Sequence, residues 1–254
     1  MHEEANLNTG DPKQSQQLDP NIVRFQDFWK KFYRNKSALI GLTLIMILIL
    51  IAFIGPYLTP YGPNAQNYDA LLESPSWEHW FGTDHHGRDI FTRIIHGMSI
   101  TLRVGFTSVL MGMSIGVSLG VLSGYYGGWT DTIIMRLMDV LLAFPGILLA
   151  LAIVSVLGGS VNNVIIAVGI FSIPVFARIS RGSTLEVREL EYVEAASALG
   201  ASDLRIIGGH ILPNIMSPII VQATLNIATS VLTASGLSFL GMAHSHLHLN
   251  GELC

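Results

Sequence analysis

Two overlapping Gly-x-Ser-x-Gly stretches, Gly112 to Gly116 and Gly116 to Gly120, put Ser114 and Ser118 where a hydrolase would carry its nucleophile. Such a serine needs a base, and no histidine occurs between His96 and His210. The same glycines have a second regularity, because Gly112, Gly116, Gly120 and Gly124 recur every four residues. That spacing lines them along one helix face as a small-residue ridge on which another membrane helix can pack closely, and this reading prevails over the nucleophile. His79, His85, His86 and His96 gather near Asp84 and Asp89, donor types that could hold a metal. Adjacent His85 and His86 diverge on any regular element and no His-Glu-x-x-His occurs, so structural or solvated roles are expected and no metal site is assigned. His244, His246 and His248 share one face of an extended strand, but a short terminal stretch rarely fixes a coordination geometry. All four lysines precede Ser37 and none follows a glycine, which excludes P-loop ATP hydrolysis. No catalytic residue and no cofactor is expected.

The elements that position these residues follow from composition. The 254 residues are 50% hydrophobic and 13% charged, against about a quarter charged in soluble domains, and mean hydropathy is +0.49. A soluble chain of this size could not bury so much apolar surface, so the sequence reads as a multi-pass membrane protein. A net charge of −4, with no basic run beyond the first 36 residues, argues against nucleic acid as a partner. The single cysteine, Cys254, excludes an intrachain disulfide and any cysteine-based zinc site.

Charge-free intervals locate the spans, since a charge at bilayer depth costs several kcal/mol. Ser37 to Tyr68 holds the apolar run Leu42 to Ile54 and a first helix over 37–58. Val104 to Thr130 gives a second, beginning near Ser99 and ending near Tyr125. Val140 to Ala177 is too long for one crossing and splits at the turn Leu157 to Asn163 into a third and a fourth. A fifth, Ile215 to Ala234, follows the breaker Leu212-Pro213-Asn214. Lys13, Arg24, Lys30, Lys31, Arg34 and Lys36 precede the first helix, and Arg178, Arg181, Arg188 and Arg205 lie between the fourth and fifth. The segment 59–98 carries only Arg88 and Arg93. By the positive-inside rule the N-terminus and the loop 178–213 are cytoplasmic and 59–98 is outside. The first apolar run is preceded by some 36 polar residues and is long enough to stay as an anchor, which argues against a cleaved signal peptide.

Met1 to Pro20 is polar and reads as a disordered leader. From Ile22 to Tyr33, apolar Val23, Phe25, Phe28, Trp29 and Phe32 alternate with basic residues; this is either an amphipathic helix on the inner leaflet or the positive flank of the first span. Arg136 and Asp139 stand one helical turn apart and are expected to pair. Pro145 and Pro174 interrupt the third and fourth helices, either bending them or marking a translocation pathway beside them.

The loop is the most specific signal. Glu191 to Leu199 reads as a short helix, Gly200 as its left-handed cap, and Ser202 or Asp203 as the N-cap of a second. Ala195, Ala196 and Ala198 keep the first helix slim enough to seat in a groove on another protein, while Glu186, Arg188, Glu189 and Arg205 supply a polar rim.

Here the chain resembles the transmembrane subunits of ATP-binding-cassette importers, whose signature is Glu-Ala-Ala, three residues, Gly, nine residues, Ile, one residue, Leu-Pro. Glu194-Ala195-Ala196, Gly200 and Leu212-Pro213 fall at that spacing, with His210 at the isoleucine position. His-Ile-Leu-Pro-Asn, Phe81 to Phe91, Gly124 to Trp129 and Leu237 to Gly241 are similar to the C-type permease subunit of the dipeptide, oligopeptide and nickel branch, and the resemblance runs from about Arg24 to Met242. It implies an all-α multi-pass bundle of the MetI-like permease type in a bacterial inner membrane. It also implies a second permease subunit, two cytoplasmic ATPases and an extracellular solute-binding protein facing the 59–98 loop, besides membrane lipid. Glu194 to Gly200 would be the helix that docks on an ATPase, within a permease core over 99–242. Dipeptides or oligopeptides are the leading substrate and nickel the runner-up, with a non-transporting membrane scaffold as the rival of another class. Family members continue into a sixth crossing, whereas Met242 is followed here by the atypical tail 243–254, so five spans are expected and a truncation or frameshift near Ala243 is inferred.

Overall fold

The computed structural model describes residues 33–239. The expectations for the polar leader, for most of the basic stretch Ile22 to Tyr33, and for the tail beyond Met242 lie outside them. The chain divides into two units, residues 1–51 and 52–254. Helix α1, Lys36–Leu58, contains the charge-free run predicted as the first span and crosses from the first unit into the second. At 23 residues it is long enough to cross a bilayer.

In the second unit, residues 59–89 form an irregular cap leading into α2, Ile90–Tyr126. Then come α3, Gly128–Leu142, α4, Gly146–Leu157, α5, Val161–Arg188, and the short α6, Glu191–Ala198. The four-residue α7, Asp203–Ile206, runs through a π turn at Ile207–Ile211 into α8, Leu212–Phe239. Among the described residues four helices are long and apolar enough to cross a membrane, or five if the bent pair α3–α4 counts as one span. The fold is all-α, of the multi-pass kind expected.

Packing centres on α2 against α5. Gly112, Gly116, Gly120 and Gly124 are all buried on this seam. A Cβ at Gly116 would stand 2.6 Å from the Ile173 carbonyl oxygen and 2.7 Å from the Phe176 Cβ, and one at Gly112 would be 2.6 Å from the Ser172 Cβ. At Gly120 it would run into the Ser180 hydroxyl and the Ala177 carbonyl. At Gly124 it would come within 2.9 Å of both Thr184 and the Arg181 carbonyl. Two backbones in this proximity gain dispersion contacts that larger side chains would forbid. Ser108, Ser172 and Ser180 bury their hydroxyls by donating to carbonyls one turn back in their own helices.

Three apolar clusters complete the bundle. One, with Val109, Val121, Phe176, Val187, Val193, Ile206, Ile211, Ile215 and Ile219, joins α2, α5 and α8 to α6 and α7. A second joins Val104, Ala150, Val154, Val168 and Leu237 at the opposite end, and a third seats Met138 of α3 on Ile173 and Ala177.

Several expectations need correction. Helix α2 begins at Ile90, not near Ser99, because Asp89 caps it by accepting a hydrogen bond from the Thr92 N–H at 2.7 Å. Arg93, His96 and Arg103 mark a limit to the apolar span without ending the helix. Between α3 and α4 the chain turns by 88° at Ala143 to Pro145, so the segment expected as a straight third helix is a bent pair, either a broken span or a re-entrant loop. Pro174 breaks nothing, since α5 continues through it. Nor does Leu212-Pro213-Asn214 end a helix. Pro213 lacks the N–H that would reach the Gly209 carbonyl, and the wider π turn is where that lost bond falls.

Candidate functional site

The residues singled out in the loop form an elbow. Helix α6 follows Leu190, whose carbonyl accepts from the N–H groups of Val193 and Glu194 at 2.9 and 3.2 Å. The helix ends as expected. The Gly200 N–H donates to Ser197 at 3.0 Å and the Ala201 N–H to Ala196 at 3.1 Å, the paired bonds of a Schellman motif. Gly200 has φ +80°, a left-handed conformation that side chains with a Cβ resist. Ser202 occupies the N-cap position of α7, although its side chain makes no capping bond.

One residue of this helix is buried. Val193 is 3% exposed and sits with Val187, Ile206, Ile211 and Ile215. Every other position faces outward or is partly covered: Glu194 and Ala195 are exposed, Ala196 is half-buried, and Gly200 is exposed. Leu199 and Leu204 on either side of the elbow are 89% and 83% exposed, an unusual cost for leucines at a polar end of the molecule. Leu212 packs half-buried on the same apolar cluster, and Pro213 is exposed in the first turn of α8. Glu186, Arg188, Glu189 and Arg205 are exposed around it.

Side-chain ties hold the elbow to the bundle. Tyr125 at the end of α2 donates its hydroxyl to Asp203 at 2.9 Å, and the Arg188 guanidinium lies 5.9 Å from the centre of its ring. The Asn214 amide donates to the Tyr192 hydroxyl at 3.0 Å and to the His210 carbonyl at 2.6 Å. Sequence reading missed both ties. The Tyr125–Asp203 partners are 78 residues apart, and no local pattern reports such a contact.

Ion pairs lock α3 to α5 near the same end. Arg181 grips Asp131 with two bonds, Nε at 2.5 Å and Nη2 at 2.6 Å, and Ser123 of α2 donates to the same carboxylate at 2.5 Å. Asp139 pairs with Arg178 at 2.6 Å and not with Arg136, which makes no ion pair among the described residues. The one-turn spacing of Arg136 and Asp139 is favourable, but α5 presents a guanidinium from across the seam. The charged residues border an open cavity of about 410 Å³. Arg178 and Asp139 are about half exposed, so theirs is the weaker pair.

In the cap, the histidines do not converge. His79 Nδ1 lies 3.0 Å from the Asp89 carboxylate, both buried; the His85 and His86 rings lean on each other at a tilt of 55°; His96 bonds the Thr92 carbonyl. Among the described residues no three His, Cys, Asp or Glu side chains come together as metal ligands would. Burial raises the Asp84 pKa, but the Arg88 and His86 N–H groups and the Arg88 guanidinium outweigh it and hold the carboxyl at about 2. Asp89 is also lowered, burial being outweighed by its bonds from Thr92 and from His79.

A bundle of apolar helices seamed by glycine, with a slim helix turned outward at one end and a folded cap at the other, defines a helical multi-span membrane protein. Residues 116–246 match the family described as binding-protein-dependent transport system inner membrane component, and residues 24–75 match the N-terminal transmembrane domain of oligopeptide transport permease C. The chain belongs to this permease family of peptide ATP-binding-cassette importers. It is 50% identical over 219 residues to the glutathione transport system permease protein GsiD of Pectobacterium atrosepticum, covering 86% of this chain and 73% of that protein. It is 47% identical over 221 residues to the dipeptide transport system permease protein DppC of Alkalihalophilus pseudofirmus, covering 87% and 73%. The glutathione permease GsiD of Escherichia coli O157:H7 is 48% identical over 228 residues, covering 89% and 75%.

Proposed function

We propose that this subunit forms half of a peptide translocation pathway and converts motion of a cytoplasmic ATPase into rocking of its helices. One observation carries the reading: α6 is an outward-facing helix with one buried side chain, held by that residue, the Asn214–Tyr192 bond and a glycine cap, with Leu199 and Leu204 exposed beside it. Such a helix has bare apolar surface to seat in a groove, and Glu194, Ala195, Ala196 and Gly200 would meet the ATPase there. Leu212 and Pro213 lie where the push enters α8, through the cluster that also holds Val193. The partners would be a second permease subunit, two ATPases on the α6 side and a solute-binding protein on the cap side. The N-terminus would then be cytoplasmic, in line with the arginines at the α6 end. The glycines of α2 would keep the α2–α5 seam rigid, so that the pair moves as one body.

The substrate is a short peptide. Relatives named for dipeptide and for glutathione transport support that class, and glutathione itself contains peptide bonds. The test uses the complete importer in membranes. Glu194→Lys and Gly200→Asp should each cut ATPase co-purification and labelled-peptide uptake at least about tenfold, a loss of about 1.4 kcal/mol of coupling or more, while leaving insertion unchanged. Unchanged co-purification and uptake would overturn the assignment. Competition between unlabelled dipeptide and glutathione decides which is preferred.

A further inference from the structure

Helix α8 carries an uncharged polar stripe for which the bundle supplies no partner. Gln222, Asn226, Thr229 and Thr233 follow one another at steps of four, three and four residues, hence on one helix face. Asn226 lies near the middle of α8, about 20 Å from either end. Polar groups at that depth are costly unless they bond another helix, a water-filled path or a ligand.

The bonds decide among these. Gln222 donates to the Asn226 side-chain oxygen at 3.2 Å, Thr229 to the Asn226 carbonyl at 3.0 Å, and Thr233 to the Thr229 carbonyl at 2.9 Å. Among the described residues every hydrogen bond of the stripe stays within α8, so it does not glue helices together. Asn226 is 8% exposed, and its amide nitrogen has no hydrogen-bond partner at all. Nor does the stripe face lipid. Val221, Leu225 and Leu232 are 59%, 59% and 72% exposed. They immediately precede Gln222, Asn226 and Thr233, so those three lie about 100° around the helix from the aliphatic surface, with Thr229 between them and that surface. Gln222 and Thr233 are half-buried and Thr229 is exposed, leaving the stripe open along one flank.

We propose that this stripe lines the translocation pathway and hydrogen-bonds the backbone of a passing peptide. The inference rests on the function proposed above and names the contact surface for that substrate. The half-buried Gln222 amide spends one N–H on Asn226 and keeps a second to donate, backed by the buried, unpartnered Asn226 amide, and the threonine hydroxyls, having spent their protons on their own helix, supply acceptors. Together they complement the C=O and N–H of a peptide group without reading its side chains. The stripe spans about 16 Å along the axis, which matches an extended peptide of about four or five residues.

The test uses the assembled importer in proteoliposomes, in a Cys254→Ser background that leaves this chain without a thiol. Single cysteines replace Gln222, Asn226, Thr229 and Thr233, with Leu225 and Leu232 as lipid-facing controls. Stripe positions should react with a charged, membrane-impermeant thiol reagent at least about tenfold faster than the controls, since the thiolate forms only where water reaches, and saturating dipeptide should slow them. Stripe positions as unreactive as Leu225 and Leu232 overturn the proposal. Reactive positions that peptide leaves unprotected overturn the backbone contact. Asn226→Leu should raise the KM for peptide at least about tenfold; an unchanged KM overturns the contact. Absence of peptide uptake by the unmodified complex would instead sink the proposed function, and the reactivity pattern would still judge whether the stripe meets water.

Discussion

At the scale of single residues, charge placement distinguishes groups that carry structure from groups that merely sit at a surface. Asp131 receives two bonds from Arg181 and one from Ser123, whereas Asp139 shares one with Arg178 in the open. Arg181→Ala should therefore cost about 2 kcal/mol or more by stranding a partly buried carboxylate, and Arg178→Ala less than about 1 kcal/mol. Thermal unfolding of the two variants in detergent checks the order. In the cap, Asp89 accepts both the Thr92 N–H and a bond from His79, so Asp89→Ala should lower stability by about 0.5–2 kcal/mol for the lost helix cap alone. Asp84 titrates at about 2 when folded against 3.8 ordinarily, so its contribution is whole above 3.8 and is lost as the pH falls through about 2. Asp84→Asn should lower the melting temperature at neutral pH and flatten the acid-side decline, followed by tryptophan fluorescence of Trp77 and Trp80. Of these residues the sequence disclosed the types but not the partners. Arg136 and Asp139 satisfied the local spacing rule, and the rule failed because a neighbouring helix competed for the carboxylate.

Among the elements, the periodic ones were legible. Four glycines four residues apart announced a close helix approach, and the structure puts α5 against them. Gly120→Val should collapse that approach, costing about 1–3 kcal/mol or more by overpacking, while Gly97→Ala, with open space around it, should be neutral. Expression level and melting temperature of the purified importer separate the two. The elbow was legible for a similar reason: left-handed glycine and N-cap serine have local chemical causes. Helix ends were less so. Charge marked where the apolar span of α2 stops, but Asp89 starts the helix a full two turns earlier. The 88° turn at Pro145 was visible only as a proline, since α3 and α4 pack in separate apolar clusters on α5 and no local pattern reports those contacts.

For the whole molecule, hydropathy gave the membrane class and the family resemblance gave the direction of force. Physical pattern alone would have ended at a helical membrane bundle with an exposed loop. The fold adds continuity. Val193 of the elbow, Ile206 and Ile211 of the following turns, and Ile215 of α8 share one apolar cluster with Val109, Val121 and Phe176 of the glycine seam. In the function proposed above, a displacement of α6 would be passed to α8 through these packed side chains. Val193→Ala should loosen this joint, leaving ATP hydrolysis in the complex but lowering the peptide transported per ATP, as measured by paired uptake and phosphate release.

The widened turn at Ile207–Ile211 bears on how this chain tolerates length changes. A turn closing five residues back holds one residue more than its α-helical equivalent and so takes up an inserted residue without rotating the remainder of the helix. Removing Gly208, which has open space around it, together with Pro213→Ala to restore the missing donor, should tighten that turn and leave α8 in phase. The same single-residue deletion at Ala223 would swing Asn226 by about 100° onto the oily side, so one excision is silent and the other abolishes transport.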